Sequence, residues 1–67
     1  MLKIYTVFRA VGKNLITKEI DIDEFELDGI ATDKQEMVSV YNRYYGGIKE
    51  FMSISRHWVE TKTVVAQ

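Results

Sequence analysis

The stretch from Thr32 to Gly47, TDKQEMVSVYNRYYGG, constrains the fold more than any other part of the chain, because its start, period and end agree. Thr32 is placed to cap the first free N–H groups, with Gln35 three residues on as the reciprocal partner of a capping box. Asp33 and Glu36 put negative charge in the first turn, where the helix dipole favours it. Met37, Val40, Tyr41, Tyr44 and Tyr45 then fall at helical spacing and form one apolar face. Gly46 and Gly47 follow where a left-handed C-cap is needed. The spacing predicts one amphipathic helix, and the rest of the chain must supply the surface that it covers.

Before the helix, Leu2 to Val11 reads as a strand rich in β-branched and aromatic residues. Leu2, Ile4, Phe8 and Ala10 alternate with Lys3, Tyr5, Val7, Arg9 and Val11, so both faces are partly apolar and the strand is expected to be central. Gly12-Lys13-Asn14 reads as a short turn. Leu15 to Ile22 is then the return strand of a hairpin, with Ile16, Ile20 and Ile22 on one face. The alternation slips after Ile22, where Phe25 and Leu27 stand among Glu24, Glu26 and Asp28. A bulge or bend is the expected cause, and Asp28-Gly29 marks the turn into the helix.

After Gly47 the pattern is divided. Ile48, Phe51, Met52, Ser55, Trp58 and Val59 fit a helical stripe with one exception. A continuous helix would carry two consecutive glycines at a cost of about 2 kcal/mol, and a β-rich run after a helix is how a crossover returns to its sheet. A third strand beginning near Ile48 or Lys49 is therefore expected, either long and bent or divided near Arg56-His57. The fold class is α+β: a small antiparallel sheet in the order β-β-α-β, with one helix packed on one face and a fourth short strand left open. The chain, 1–67, reads as a single small domain. Met37, Val40, Tyr41 and Tyr44 are expected to meet Ile4, Phe8, Ile20 and Ile22. Some of the tyrosine rings should lie at the core margin with their tips in water.

Size and charge bound the function. Sixty-seven residues without a cysteine lie near the lower limit for folding without staples. Self-association would supply buried surface, so a homodimer stands as an alternative to the monomer. The 46% apolar fraction is that of a globular chain. Nine basic and ten acidic residues leave a net charge of −1, without the basic excess usual in nucleic-acid binders. That balance favours a protein partner. No apolar run is long enough to span a membrane, and Lys3 and Arg9 interrupt any signal-like start. The chain reads as cytoplasmic and as beginning at its own Met1.

Catalytic constellations are sparse. His57 with Ser53 or Ser55 is the nearest approach to a base and nucleophile, and no orienting carboxylate accompanies it. The reading is a non-enzyme, with no metal and no cofactor. The run Asp21, Asp23, Glu24, Glu26 and Asp28 reads as a solvated strand face that discourages edge pairing, and as a surface for a basic partner in the sharper alternative. Arg43, Tyr44, Tyr45, Lys49, Arg56, His57, Trp58 and Lys62 mix basic and aromatic residues, the composition of a single-strand stacking surface. A protein interface fits the same residues, since Tyr, Trp and Arg are the usual hot-spot types. Tyr45, Arg56 and Trp58 are the candidate partner-binding anchors. An unpaired sheet edge offers a second route, by strand addition.

The layout of a hairpin, an acidic link, one helix and a closing strand resembles the small early proteins of T-even-type phages, the Dmd-type antitoxins above all. Lys13-Asn14 at the turn and Thr17-Lys18-Glu19-Ile20 in the second strand carry the local likeness. The stretch from Arg56 to Gln67 has no counterpart, and no functional residue is carried over. The resemblance implies a class only: a compact viral protein that blocks a host enzyme or defence factor by occupying its surface. A small nucleic-acid-binding regulator is the alternative, and an accessory subunit of a larger assembly a third.

Overall fold

The structure is a computed structural model and describes residues 1–65. The reading of 1–67 as one domain extends to Ala66 and Gln67, which lie outside the described residues. Strand β1 spans Leu2–Asn14, β2 Ile20–Asp28, helix α1 Lys34–Tyr45 and β3 Lys49–Thr63. The expected β-β-α-β order and antiparallel sheet are present, with strand order β2-β1-β3. The described residues form three strands, and the fourth short strand is not among them.

Strand β1 is the centre of the sheet, and its alternation assigns the faces. Even-numbered Thr6, Phe8 and Ala10 are buried beneath the helix. Odd-numbered Tyr5, Val7, Arg9 and Val11 point to the face that carries no helix. Residues paired across a ladder share a face. Leu27 and Phe25, opposite Thr6 and Phe8, therefore stand on the helix side, while Glu26, Glu24 and Ile22 stand on the open side.

This placement overturns two expectations. The alternation slip after Ile22 is no bulge: the β1–β2 register is unbroken from Lys13↔Ile20 to Tyr5↔Asp28. Ile20 and Ile22 simply share a face with Glu24 and Glu26, and both remain exposed on the open side. Phe25 and Leu27 take the place expected for them beneath the helix. Ile4 lies at the edge of the helix layer and is 45% exposed. The irregularities belong to β3 instead, where Ser55 and Met52 are extra residues in its pairing with β1. Those bulges are why one continuous strand imitates a helical stripe over this stretch.

The turn also moves. The return strand begins at Ile20 rather than Leu15, and β1 runs on through Gly12 to Asn14. Asn14 organises the five-residue loop by accepting the Ile16 and Thr17 N–H groups on its Oδ1 at 2.9 and 3.0 Å. Lys18 closes the loop in the left-handed region, with φ at 67°. Gly12 thus serves the core rather than the turn. A Cβ there would fall onto the Tyr41 hydroxyl and lie 2.7 Å from its Cζ.

Helix α1 is one residue shorter at its start than the capping box predicts. Asp33, not Thr32, is the N-cap, and its Oδ1 accepts the Gln35 N–H at 2.9 Å. At the other end the Gly46 N–H reaches the Asn42 carbonyl at 2.8 Å, and Gly47 turns the chain with φ at 83°. Ile48 N–H then donates to the Tyr45 carbonyl, and β3 begins at Lys49, as expected.

The helix approach is fixed by Thr6. Its hydroxyl donates to the Gly29 carbonyl at 2.7 Å and accepts the Ala31 N–H at 2.8 Å, stitching the link between β2 and α1 to the central strand. Met37 and Tyr41 are buried against Phe8 and Ala10, with Phe25, Val40, Tyr45, Phe51 and Ile54 at the margin. The rings interlock: Phe8 stacks on Phe25 at 5.3 Å, and Tyr41 meets Phe51 edge-on at 5.5 Å. Tyr44 is exposed. The Tyr41 hydroxyl, by contrast, is buried without a hydrogen-bond partner among the described residues. Burial raises its pKa above the ordinary tyrosine value.

Candidate functional site

The helix covers one side of the sheet only, so the opposite side is left as an uncovered surface with an ordered arrangement of side chains. Across it run three columns: Lys3, Tyr5, Val7, Arg9, Val11 and Lys13 from β1; Ile20, Ile22, Glu24, Glu26 and Asp28 from β2; Glu50, Ser53, Arg56, Trp58, Glu60 and Lys62 from β3. Val7 is 3% exposed although no second layer lies above it. Its register neighbours are Glu26 and Trp58, and the long side chains of this face close over it.

Trp58 stands on the β3 column of this face, opposite Val7 of the central strand, and is held from two directions. Its Nε1–H donates to Glu60 Oε1 at 2.7 Å, while the Tyr5 hydroxyl donates to Glu60 Oε2 at 2.8 Å. The two donors hold the Glu60 carboxyl below the usual carboxylate range, the Trp58 hydrogen bond being the larger cause. The same pairing raises the Tyr5 pKa, because the phenol must keep its proton to donate to Glu60. The guanidinium carbons of Arg9 and Arg56 lie over the indole at 5.2 and 5.1 Å from its centre. Lys62 lies over the Tyr5 ring at 4.9 Å. Both aromatic rings of the face are therefore flanked by cations.

The acidic run resolves into individual partners. Glu24 pairs with Arg9 at 3.1 Å and Asp28 with Lys3 at 2.9 Å, both on the open face. Asp21 and Asp23 point to the helix side and clamp Lys49 at 3.4 and 2.9 Å. Lys49 also lies over the Tyr45 ring at 4.4 Å, and its hydrogen bond to Asp23 raises its pKa. The run lies on β2, an edge strand of the sheet. Across the open face, Lys3, Arg9, Lys13, Arg56 and Lys62 balance Glu24, Glu26, Asp28, Glu50 and Glu60.

Of the three anchors read from the sequence, the fold brings two together. Arg56 and Trp58 are neighbours on the open face. Tyr45 lies on the other side of the sheet, at the helix C-terminus, where its hydroxyl donates to Asp23 Oδ1 at 3.3 Å. Tyr45 thus belongs to the Lys49 clamp, and no single flat surface holds all three. Tyr5, Arg9 and Glu60 complete the Trp58 setting and were not singled out by the sequence reading. Their signal was parity: Tyr5 and Arg9 share the odd-numbered face of β1, and Glu60 follows Trp58 at the two-residue spacing of a strand face.

His57 faces the helix side opposite Phe8, whereas Ser53 is opposite Val11 on the open side and Ser55 is a bulge residue. Among the described residues no cluster of His, Cys, Asp or Glu has the makings of a metal site. No helix among them is long and apolar enough to cross a membrane. Compared with protein-family models, curated proteins and solved structures, the chain matches none of them.

Proposed function

We propose that this chain is a small non-enzymatic protein-interaction module that lays the open face of its sheet on another protein. The observation that carries this reading is Trp58, fixed by Glu60 on the uncovered face and flanked by Arg9 and Arg56. Tryptophan and arginine are the residue types that dominate binding energy when an interface buries them. A rigid, preorganised side chain loses little further freedom on binding. The equal numbers of acidic and basic residues on the face suit a protein surface with its own mixture of charges. Inhibition of a host enzyme or defence factor by surface occupation, as the resemblance to small phage proteins implies, is the form of this activity we favour.

The test is affinity capture of the tagged chain from lysate, washed with nuclease and high salt, followed by the same capture with Trp58→Ala. A stoichiometric protein retained by the parent chain and lost by the folded variant is the expected result. Equal retention by both would refute the face as the binding surface.

A second reading has its own observation. Tyr5 and Trp58 with Arg9, Arg56 and Lys62 on one sheet face combine rings and cations as single-strand binders do. Nucleic acid recovered in a parallel capture without the nuclease and high-salt wash, and released as salt rises, would favour that reading.

A further inference from the structure

Arg9 and Arg56 are direct cross-strand partners in the β1–β3 ladder, and both guanidiniums lie over the same indole. Like charges facing each other across a ladder repel. Glu24 answers the charge of Arg9 at 3.1 Å from the other side of β1. Arg56 has no carboxylate partner among the described residues. Glu60, on the same strand and face, gives its two oxygens to Trp58 and Tyr5. The row Glu24–Arg9–Arg56 therefore alternates in sign once and then stops on an unmatched cation beside an aromatic ring.

We propose that Arg56, with Arg9 and Trp58, is a docking site for a carboxylate carried by an acidic segment of a partner protein. This rests on the reading of the open face as a protein-binding surface and names the chemistry it selects. Guanidinium forks match carboxylates in bidentate geometry, and contact with the indole face holds their planes ready. A carboxylate beyond Arg56 restores the alternation of charge along the row and relieves the repulsion between the two arginines. Along the same face, Val11 and the 62% exposed Ile22 offer apolar contact to residues flanking that carboxylate. A nucleic-acid strand fits less well. A run of phosphates calls for a basic excess, whereas the face carries five basic and five acidic residues and leaves Arg56 as a cation for a single carboxylate.

Trp58 is the only tryptophan and reports the site directly. The experiment titrates its fluorescence with a short peptide alternating Glu and Leu, with the same peptide carrying Gln for Glu, and with a single-stranded oligothymidylate. We expect a saturable change with the acidic peptide that weakens about tenfold or more in Arg56→Gln and with the Gln peptide. Arg43→Gln, an exposed arginine in the last turn of α1, is expected to leave it unchanged. Circular dichroism of each variant confirms folding. No saturable response, equal weakening by Arg43→Gln, or tighter binding of the oligothymidylate each overturns the proposal. If Arg56→Gln retains a captured protein that Trp58→Ala loses, the carboxylate site falls and the interaction face stands. If both variants retain it, both readings fall.

Discussion

Tyr41 occupies the space that a side chain at Gly12 would need. The ring lies directly over the central strand, and its hydroxyl ends there without a hydrogen-bond partner among the described residues. A buried hydroxyl left unpaired costs stability that a phenyl ring does not. Tyr41→Phe is therefore expected to raise stability by about 1 kcal/mol, or about 4–8 °C in Tm for a domain of this size. Gly12→Ala should destabilise sharply, and Tyr41→Phe should rescue it only in part, because the Cβ also meets Cζ at 2.7 Å. Thermal melts of the two single variants and the double variant check both statements. A Tyr41→Phe protein that melts below the parent would refute the orphaned hydroxyl.

Thr6 is predicted to matter through its hydroxyl more than its methyl. Thr6→Val keeps the shape but strands the Gly29 carbonyl and the Ala31 N–H, with an expected loss of about 2 kcal/mol or more. Thr6→Ser keeps both hydrogen bonds and gives up one buried methyl, at about 1 kcal/mol. Urea midpoints at constant slope measure the order of the two, and the reverse order would sink this account of the helix link.

The Lys49 clamp has a defined alkaline limit. Its side chain is 13% exposed between Asp21 and Asp23, so Lys49→Met should cost about 1–2 kcal/mol, between the values of exposed and buried pairs. The hydrogen bond to Asp23 raises the folded pKa above the ordinary 10.5. A raised pKa means that the contribution is whole below 10.5 and disappears as pH rises through the folded value. The stability difference between parent and Lys49→Met should thus hold at neutral pH and narrow only above 10.5. A difference that narrows already at pH 9 would contradict the pairing.

Glu60 sets an acid limit of opposite sign. Its carboxylate is favoured by the Trp58 and Tyr5 hydrogen bonds, so its folded pKa lies below the ordinary 4.5. What it contributes is present above 4.5 and lost as pH falls through the lowered value. Trp58 emission should change with a midpoint below 4.5, and Glu60→Gln should remove that transition while the fold persists by circular dichroism. A midpoint at or above 4.5 would show that the indole is not held by Glu60 in solution.

The helix, the antiparallel sheet and the start of β3 were legible because each depends on local chemistry: acidic residues in the first turn, an apolar face of helical period, a glycine pair. The face of Ile20 and Ile22 was not. A strand with apolar residues at one end of one face and at the other end of the opposite face has no preferred side until the helix lands on Phe25 and Leu27. Gly12 was misread for a similar reason, since Gly-Lys-Asn has turn composition and Tyr41 reaches it from a helix distant in the chain. Within the candidate site, Arg56 and Trp58 were picked out by residue type, and their neighbourhood comes from the two-residue spacing once β3 is a strand. The separation of Tyr45 from them did not, because it depends on which sheet face the helix covers.

The order of strands also governs when the fold can close. Strand β1 is near the start of the chain, yet its longest ladder runs with β3, from Asn14↔Lys49 to Leu2↔Thr63. The innermost strand must wait for the most distant one. Contacts of such long sequence separation slow folding, and a hairpin of β1 and β2 alone lacks both a third strand and the helix. During synthesis the buried row of Thr6, Phe8 and Ala10 stays without its full cover until its β3 partners, Val59, His57 and Ile54, have left the ribosome. The polypeptide then acquires its structure as one event, with no self-sufficient N-terminal portion for a chaperone or protease to encounter as finished.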